Sequence, residues 1–237
     1  MRSAVVTFSV ALASACGPPA PPVTPDAGQW FDEALAPCRI GGAAPQTVDD
    51  VIARINLLPM PMTVPCFTAS LPRPLPVVTT TSRFSAQPAG GPEDPRVFLF
   101  LGGVIASVVT SGDGSTLLEL GELVTSSRTL KAELKFPVTR PVTRDDAYAH
   151  LDYVPASTTC GLCHSGEERH PAHALARVSL ALRPPARTVM PLSRARALSE
   201  ACDPTAQRER CLAFASVFGF GEVVEGVFPS SFGDFIK

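Results

Sequence analysis

Between residues 46 and 58 the apolar positions Val48, Val51, Ile52, Ile55 and Leu58 recur three and four apart, as one face of a helix requires. Thr47 stands at the cap position, and Asp49 and Asp50 occupy the first turn. A proline-laden stretch from Leu58 to Met62 follows and leads to Cys66. Residues 76–81, β-branched from Val77 onward, read as a strand. The runs 97–101 and 104–109, broken by Gly102-Gly103, read as a hairpin. A turn at 111–115 opens into 117–120, and 130–136 alternates apolar with charged residues like a half-exposed or edge strand. Gly112-Asp113-Gly114 resembles a calcium-loop fragment but lacks the further acidic ligands, so it reads as a turn. Near the end, Leu192, Ala195 and Leu198 mark a helix over 192–201, with Ser193 as its cap. Cys211, Leu212, Phe214, Ala215 and Phe218 mark another over 205–218. The pattern predicts an α+β fold: a small antiparallel β-sheet or sandwich over 37–150, then a mainly helical segment over 151–237.

The N-terminus carries a different pattern. Arg2 precedes an apolar run from Ala4 to Ala15, long enough for the core of a signal peptide and too short to span a bilayer. The run closes Leu12-Ala13-Ser14-Ala15-Cys16-Gly17. This resembles the processing site of bacterial lipoproteins, which implies removal of residues 1–15 and a lipid on Cys16. Residues 17–28 hold five prolines and almost nothing to bury, so 16–36 is expected to be a lipidated, proline-rich tether. Gly17 after the cysteine resembles the outer-membrane pattern more than the inner-membrane one. The expected location is the periplasm, on a lipid anchor.

Composition narrows the partners. Twenty basic and 22 acidic residues give a net charge of −2, with no basic surplus to neutralise phosphates, so nucleic acid is disfavoured. The last third is locally richer in arginine, a mildly basic rim that could steer an acidic protein. With 25 prolines in 237 residues, the chain disfavours long helices and coiled coils. There is no P-loop and no G-x-S-x-G motif.

The seven cysteines carry the chemistry. Setting Cys16 aside leaves six in a chain bound for an oxidising compartment. Cys160-Gly161-Leu162-Cys163-His164 is a CxxCH sequence, which this composition would produce by chance roughly 0.004 times. The other four cysteines allow three pairings, of which the sequence-local one is Cys38–Cys66 with Cys202–Cys211.

Over about residues 155–237 the chain resembles the c-type cytochromes. That resemblance implies one covalent haem c, thioether-bonded to Cys160 and Cys163, with His164 as proximal iron ligand. The distal ligand stays open between Met190, followed by Pro191, and the histidines His150, His170 and His173, or the position is vacant. Arg183 and Arg187 could pair haem propionates. The expected function is a lipid-anchored electron carrier with a redox protein or complex as partner, rather than a catalyst. Two readings compete for the same residues. One is a zinc site of Cys160, Cys163, His170 and His173 in a binding or structural lipoprotein; the other is a redox dithiol.

Overall fold

The structure is a computed structural model, and it describes residues 29–154 and 157–234. The leader at 1–15, Cys16 and the tether up to residue 28 lie outside the described residues. The last stretch expected to be tether, Gln29–Leu35, is a helix, α1. It packs on the body through buried Leu35 and an edge-to-face contact of Phe31 with Phe220.

Helix α2, Val48–Asn56, forms where the periodicity predicts it. The Thr47 side chain accepts from the Asp50 amide, and the Asp50 carboxylate accepts from the Thr47 amide, so two N-terminal amides are satisfied reciprocally. A third helix, α3 (Val64–Ser70), carries Cys66 and starts at Thr63, whose side chain accepts from the Cys66 amide. The Cys38–Cys66 disulfide ties this helix to the segment after α1.

The strands are β1 (Leu75–Thr80), β2 (Arg96–Phe100), β3 (Val104–Val109), β4 (Leu117–Thr125) and β5 (Arg128–Lys135). Five short ones follow: β6 (Asp152–Val154), β7 (Ser157–Thr158), β8 (Glu168–Arg169), β9 (Arg177–Leu180) and β10 (Leu182–Arg183). After β11 (Val189–Met190) come helices α4 (Leu192–Glu200) and α5 (Arg208–Phe218), then β12 (Val223–Glu225) and β13 (Gly233–Asp234).

One nine-stranded sheet dominates, in the order β11-β1-β2-β3-β4-β5-β9-β8. β12 adds in parallel alongside β1, and the path between β11 and β8 is otherwise antiparallel. This overturns the expected small sheet followed by a mainly helical haem segment. Four of the nine strands, β8, β9, β11 and β12, come from beyond residue 151. The run Arg177-Val178-Ser179 continues the two-residue alternation of β5 in register, with Lys131 opposite Arg177 and Leu130 opposite Val178. Helix is confined there to α4 and α5. Pro191 caps α4 without a side-chain bond, so Ser193 does not cap it. The Cys202–Cys211 disulfide staples the start of α5 to the end of α4.

The sheet has two unlike faces. Val97, Leu99, Val104, Ala106, Val108, Leu118, Leu120, Leu130, Ala132 and Leu134 point to one side. There they meet Val51, Ile55, Phe67 and Val217 of the helices in the main core. The alternate residues Arg96, Phe98, Ile105, Ser107, Glu119, Gly121, Thr129, Lys131 and Glu133 share the opposite face. The chain between residues 159 and 184 and the C-terminal segment around Phe228 and Phe232 fold back over that face and leave a cavity beneath them.

Candidate functional site

The CxxCH residues form a wall of this cavity. A short 3-10 turn, Thr159–Leu162, begins at Thr158, whose side-chain oxygen accepts from the Cys160 amide at 3.2 Å. The amides of Cys163 and His164 both donate to the carbonyl of Cys160, at 3.1 and 2.9 Å. The chain thus turns like a helix, and residues three and four apart fall on the same side. Cys160, Cys163 and His164 all face the cavity. Glu167 clamps the turn from behind, accepting from the Thr158 amide at 2.8 Å and the Thr158 hydroxyl at 2.5 Å.

Neither motif cysteine is tied up in a disulfide. Both thiols are free, while the other four described cysteines are paired as Cys38–Cys66 and Cys202–Cys211. The Nδ1–H of His164 donates to the carbonyl of Leu180 at 2.8 Å. That bond fixes the tautomer and leaves the Nε2 lone pair for a metal. Burial, reinforced by the nearby Lys131 charge, pushes the His164 pKa down to about 4, so the ring is neutral at ordinary pH. Burial, with Glu119 next in effect, pushes the Cys160 thiol up to about 11. A thiol held protonated is a poor attacking group, which disfavours the redox-dithiol reading.

The enclosed part of the cavity is about 140 Å³, and its mouth is open to solvent. Phe98, Phe228 and Phe232 line it, with ring centroids of Phe98 and Phe228 5.1 Å apart. The floor is polar: Arg96 is bonded to Ser85, Ser107 and Glu119, and Lys131 lies across the sheet from Gly121. Gly121 sits mid-strand, where a side chain would ordinarily pack; a Cβ there would meet Thr129 first, at 3.5 Å. Two same-side thiols and a free imidazole nitrogen beside aromatic walls are the donor set that a covalently attached haem would use.

The other expected site residues scatter. Met190 is buried with Ala195, Leu198 and Phe214 in a separate small core, and its carbonyl accepts from the Thr79 hydroxyl at 2.9 Å. Because Pro191 opens α4 directly after it, its thioether serves packing rather than the cavity. His150 Nε2 is 2.8 Å from Glu133. His173 lies against the Tyr148 ring, centroids 4.8 Å apart, and 3.4 Å from Asp145. His170 sits just after β8, its Nδ1 accepting from the Ala172 amide at 3.3 Å. None of these four lines the cavity. The zinc set is therefore not assembled: among the described residues no three His, Cys, Asp or Glu side chains gather as a metal ion would need. Arg183 does reach the cavity and is bonded to Asp234 at 2.7 Å, whereas Arg187 is exposed in the turn Ala186–Thr188 away from it.

Several arginines of the C-terminal third are ion-paired rather than free to form a basic rim. Arg210 holds Asp94 at 2.7 Å and Arg194 bonds Glu93 at 2.5 Å, binding the α4–α5 region to the loop before β2. The cavity residues that sequence reasoning missed are Arg96, Glu119, Gly121 and Lys131. Their only signal is the strict alternation that sets them on the face opposite the apolar residues. No described helix is long and apolar enough to cross a membrane. No family model, curated protein or solved structure matches the chain.

Proposed function

We propose that the protein is a single-haem, c-type cytochrome-like electron carrier, exported and lipid-anchored through Cys16 on the periplasmic side, at the outer membrane. The observation that carries this reading is the convergence of Cys160, Cys163 and His164 on one wall of an aromatic-lined cavity open to solvent. Haem bound there would supply a one-electron ferric–ferrous couple. The residues around it have defined work. Cys160 and Cys163 would hold the porphyrin covalently, and His164, oriented by Leu180, would bind iron through Nε2. Phe98, Phe228 and Phe232 would exclude water from the ring. Leu162, within the motif itself, is 69% exposed, so the attachment edge of the site lies at the surface, where a redox partner protein can approach. A net charge of −2 gives nucleic acid no electrostatic claim on the chain.

The test is export of the full chain in a bacterium that makes haem-attachment machinery, followed by mass spectrometry of the peptide holding residues 160–164. The expected result is a haem adduct on that peptide, a sharp visible band on reduction, and a lipid on Cys16. A disulfide joining Cys160 to Cys163, or zinc bound stoichiometrically, overturns the electron-carrier reading.

A further inference from the structure

We propose that Lys131 is the further protein residue that would bind the iron of a haem held by Cys160, Cys163 and His164. This inference rests on the function proposed above and names the residue that completes its coordination.

The cavity wall decides between candidates. Apart from the motif, the described wall contains no methionine and no second histidine. Its two carboxylates are already engaged: Glu119 with Arg96, and Glu133 with His150 at 2.8 Å. The hydroxyls of serine and threonine are weak neutral donors toward iron. The arginines on the wall stay protonated and offer no lone pair. Lys131 remains, the one wall residue outside the motif whose nitrogen can present a lone pair.

Its setting is unusual for a lysine. The residue is 9% exposed, and no carboxylate among the described residues lies within ion-pair distance of it. The amine donates to the Thr129 hydroxyl at 2.6 Å. Burial makes this ammonium, whose one hydrogen-bond partner is a hydroxyl, easier to deprotonate than a surface lysine, so its lone pair is accessible to a metal brought into the cavity. Gly121 stands in register opposite Lys131 and leaves the floor beside it without a side chain. The amine therefore borders the same open space as His164. Ligation uses the neutral amine, and the proton of the ammonium leaves to solvent through the mouth of the cavity.

An aliphatic amine is a harder donor than a thioether, so the couple would sit lower than in a Met-ligated centre. A competing role for Lys131 is simple charge pairing with a haem propionate. The two are separable by substitution. The full chain, matured with haem, is compared with Lys131→Ala, Lys131→Met and Lys131→Arg. Haem on the 160–164 peptide is checked by mass, and spin state is read by electron paramagnetic resonance and visible spectra. The wild type is expected to be six-coordinate and low-spin, and slow to bind carbon monoxide when reduced. Lys131→Ala should keep the covalent haem, lose the low-spin signal and bind carbon monoxide rapidly. Lys131→Met, which preserves packing should the alanine variant fold poorly, should shift the low-spin signature and raise the potential. Lys131→Arg should behave like Lys131→Ala. A high-spin wild type, a low-spin Lys131→Ala, or a Lys131→Arg protein identical to wild type overturns the assignment while leaving the haem itself in place. A wild-type chain without haem overturns the proposed function, and this ligand with it.

Discussion

The Nδ1–H of His164 donates to the carbonyl of Leu180 across 16 residues of chain, at 2.8 Å. Leu180 ends β9, and β9 pairs with β5 in the main sheet, so the motif's imidazole is referenced to the sheet and not only to its own turn. The ring is thereby held in one tautomer and one orientation before any cofactor arrives.

Replacing His164 by alanine removes that tether together with the iron donor. The lost hydrogen bond should lower stability by about 1 kcal/mol, a modest cost for a partly exposed group. Haem attachment should suffer far more, because both thiols would remain while the axial nitrogen is gone. Urea melts of the haem-free chain measure the first effect, and the mass of the 160–164 peptide measures the second. An unchanged yield of normally ligated haem would contradict the role given to His164.

Gly161 offers a separate check on the turn. A Cβ at this position would lie 2.5 Å from the Ser157 hydroxyl and 2.9 Å from a Glu167 carboxylate oxygen. Gly161→Val should therefore push Glu167 off Thr158, whose amide and hydroxyl it now accepts from. Losing hydrogen bonds to a charged acceptor costs about 1.5–3 kcal/mol. The expected outcome is a loosened 157–167 segment, seen as faster amide exchange there, and a reduced haem yield with α2 and the sheet core unchanged.

The helix at Val48–Asn56 and strands β1 to β5 were readable because each buries one continuous apolar face, which periodicity reports directly. The two disulfides were readable because each closes a short loop within one segment. The alternation at 130–136 was equally plain, but it could not say what covers the charged face. Lys131 and Glu133 look like solvated residues in sequence, and the sheet instead turns them toward a cavity roofed by chain some 30 to 100 residues further on. The short strands β8, β9 and β11 escaped for a related reason. Two to four residues carry too little pattern, and the long-range pairing partners that stabilise them are invisible locally. Met190 illustrates the reverse error: its Met-Pro sequence suggested a ligand, and burial against Phe214 made it core.

The disulfides differ in what they should contribute. Cys38 and Cys66 are 28 residues apart and Cys202 and Cys211 are 9 apart. On the chain-entropy model the first is worth about 3–4 kcal/mol and the second about 2.5–3 kcal/mol. Double serine replacement of each pair, followed by denaturant unfolding, should reproduce that order. The Cys202/Cys211 variant should free the start of α5 while leaving the cavity intact, because neither cysteine lines it. Haem attachment should then be unaffected by the second replacement, and a loss would show that α4 and α5 support the site indirectly.

The turn that leads from β5 toward the motif should lose stability in acid. Asp146 accepts from both terminal nitrogens of Arg140, at 2.9 and 2.6 Å, and from the amide and hydroxyl of Thr143, each at 2.7 Å. Those bonds, Arg140 foremost, hold its carboxyl well below the usual aspartate range. A depressed folded-state pKa means the stabilisation is complete above the unfolded value, near 4, and is withdrawn as pH falls toward the folded one. Asp146→Asn should flatten the stability profile between about pH 4 and pH 2 while lowering stability at neutral pH, where the native carboxylate is fully charged. Because the pair is partly exposed, added salt should shrink the neutral-pH difference. The turn also positions buried Tyr148 and Leu151 just before β6, so the same substitution should loosen the approach to Cys160 and slow haem attachment. Thermal melts across pH and salt, set beside haem yield, test both consequences on one variant. A profile parallel to wild type below pH 4 would show that Asp146 titrates as an ordinary surface carboxylate.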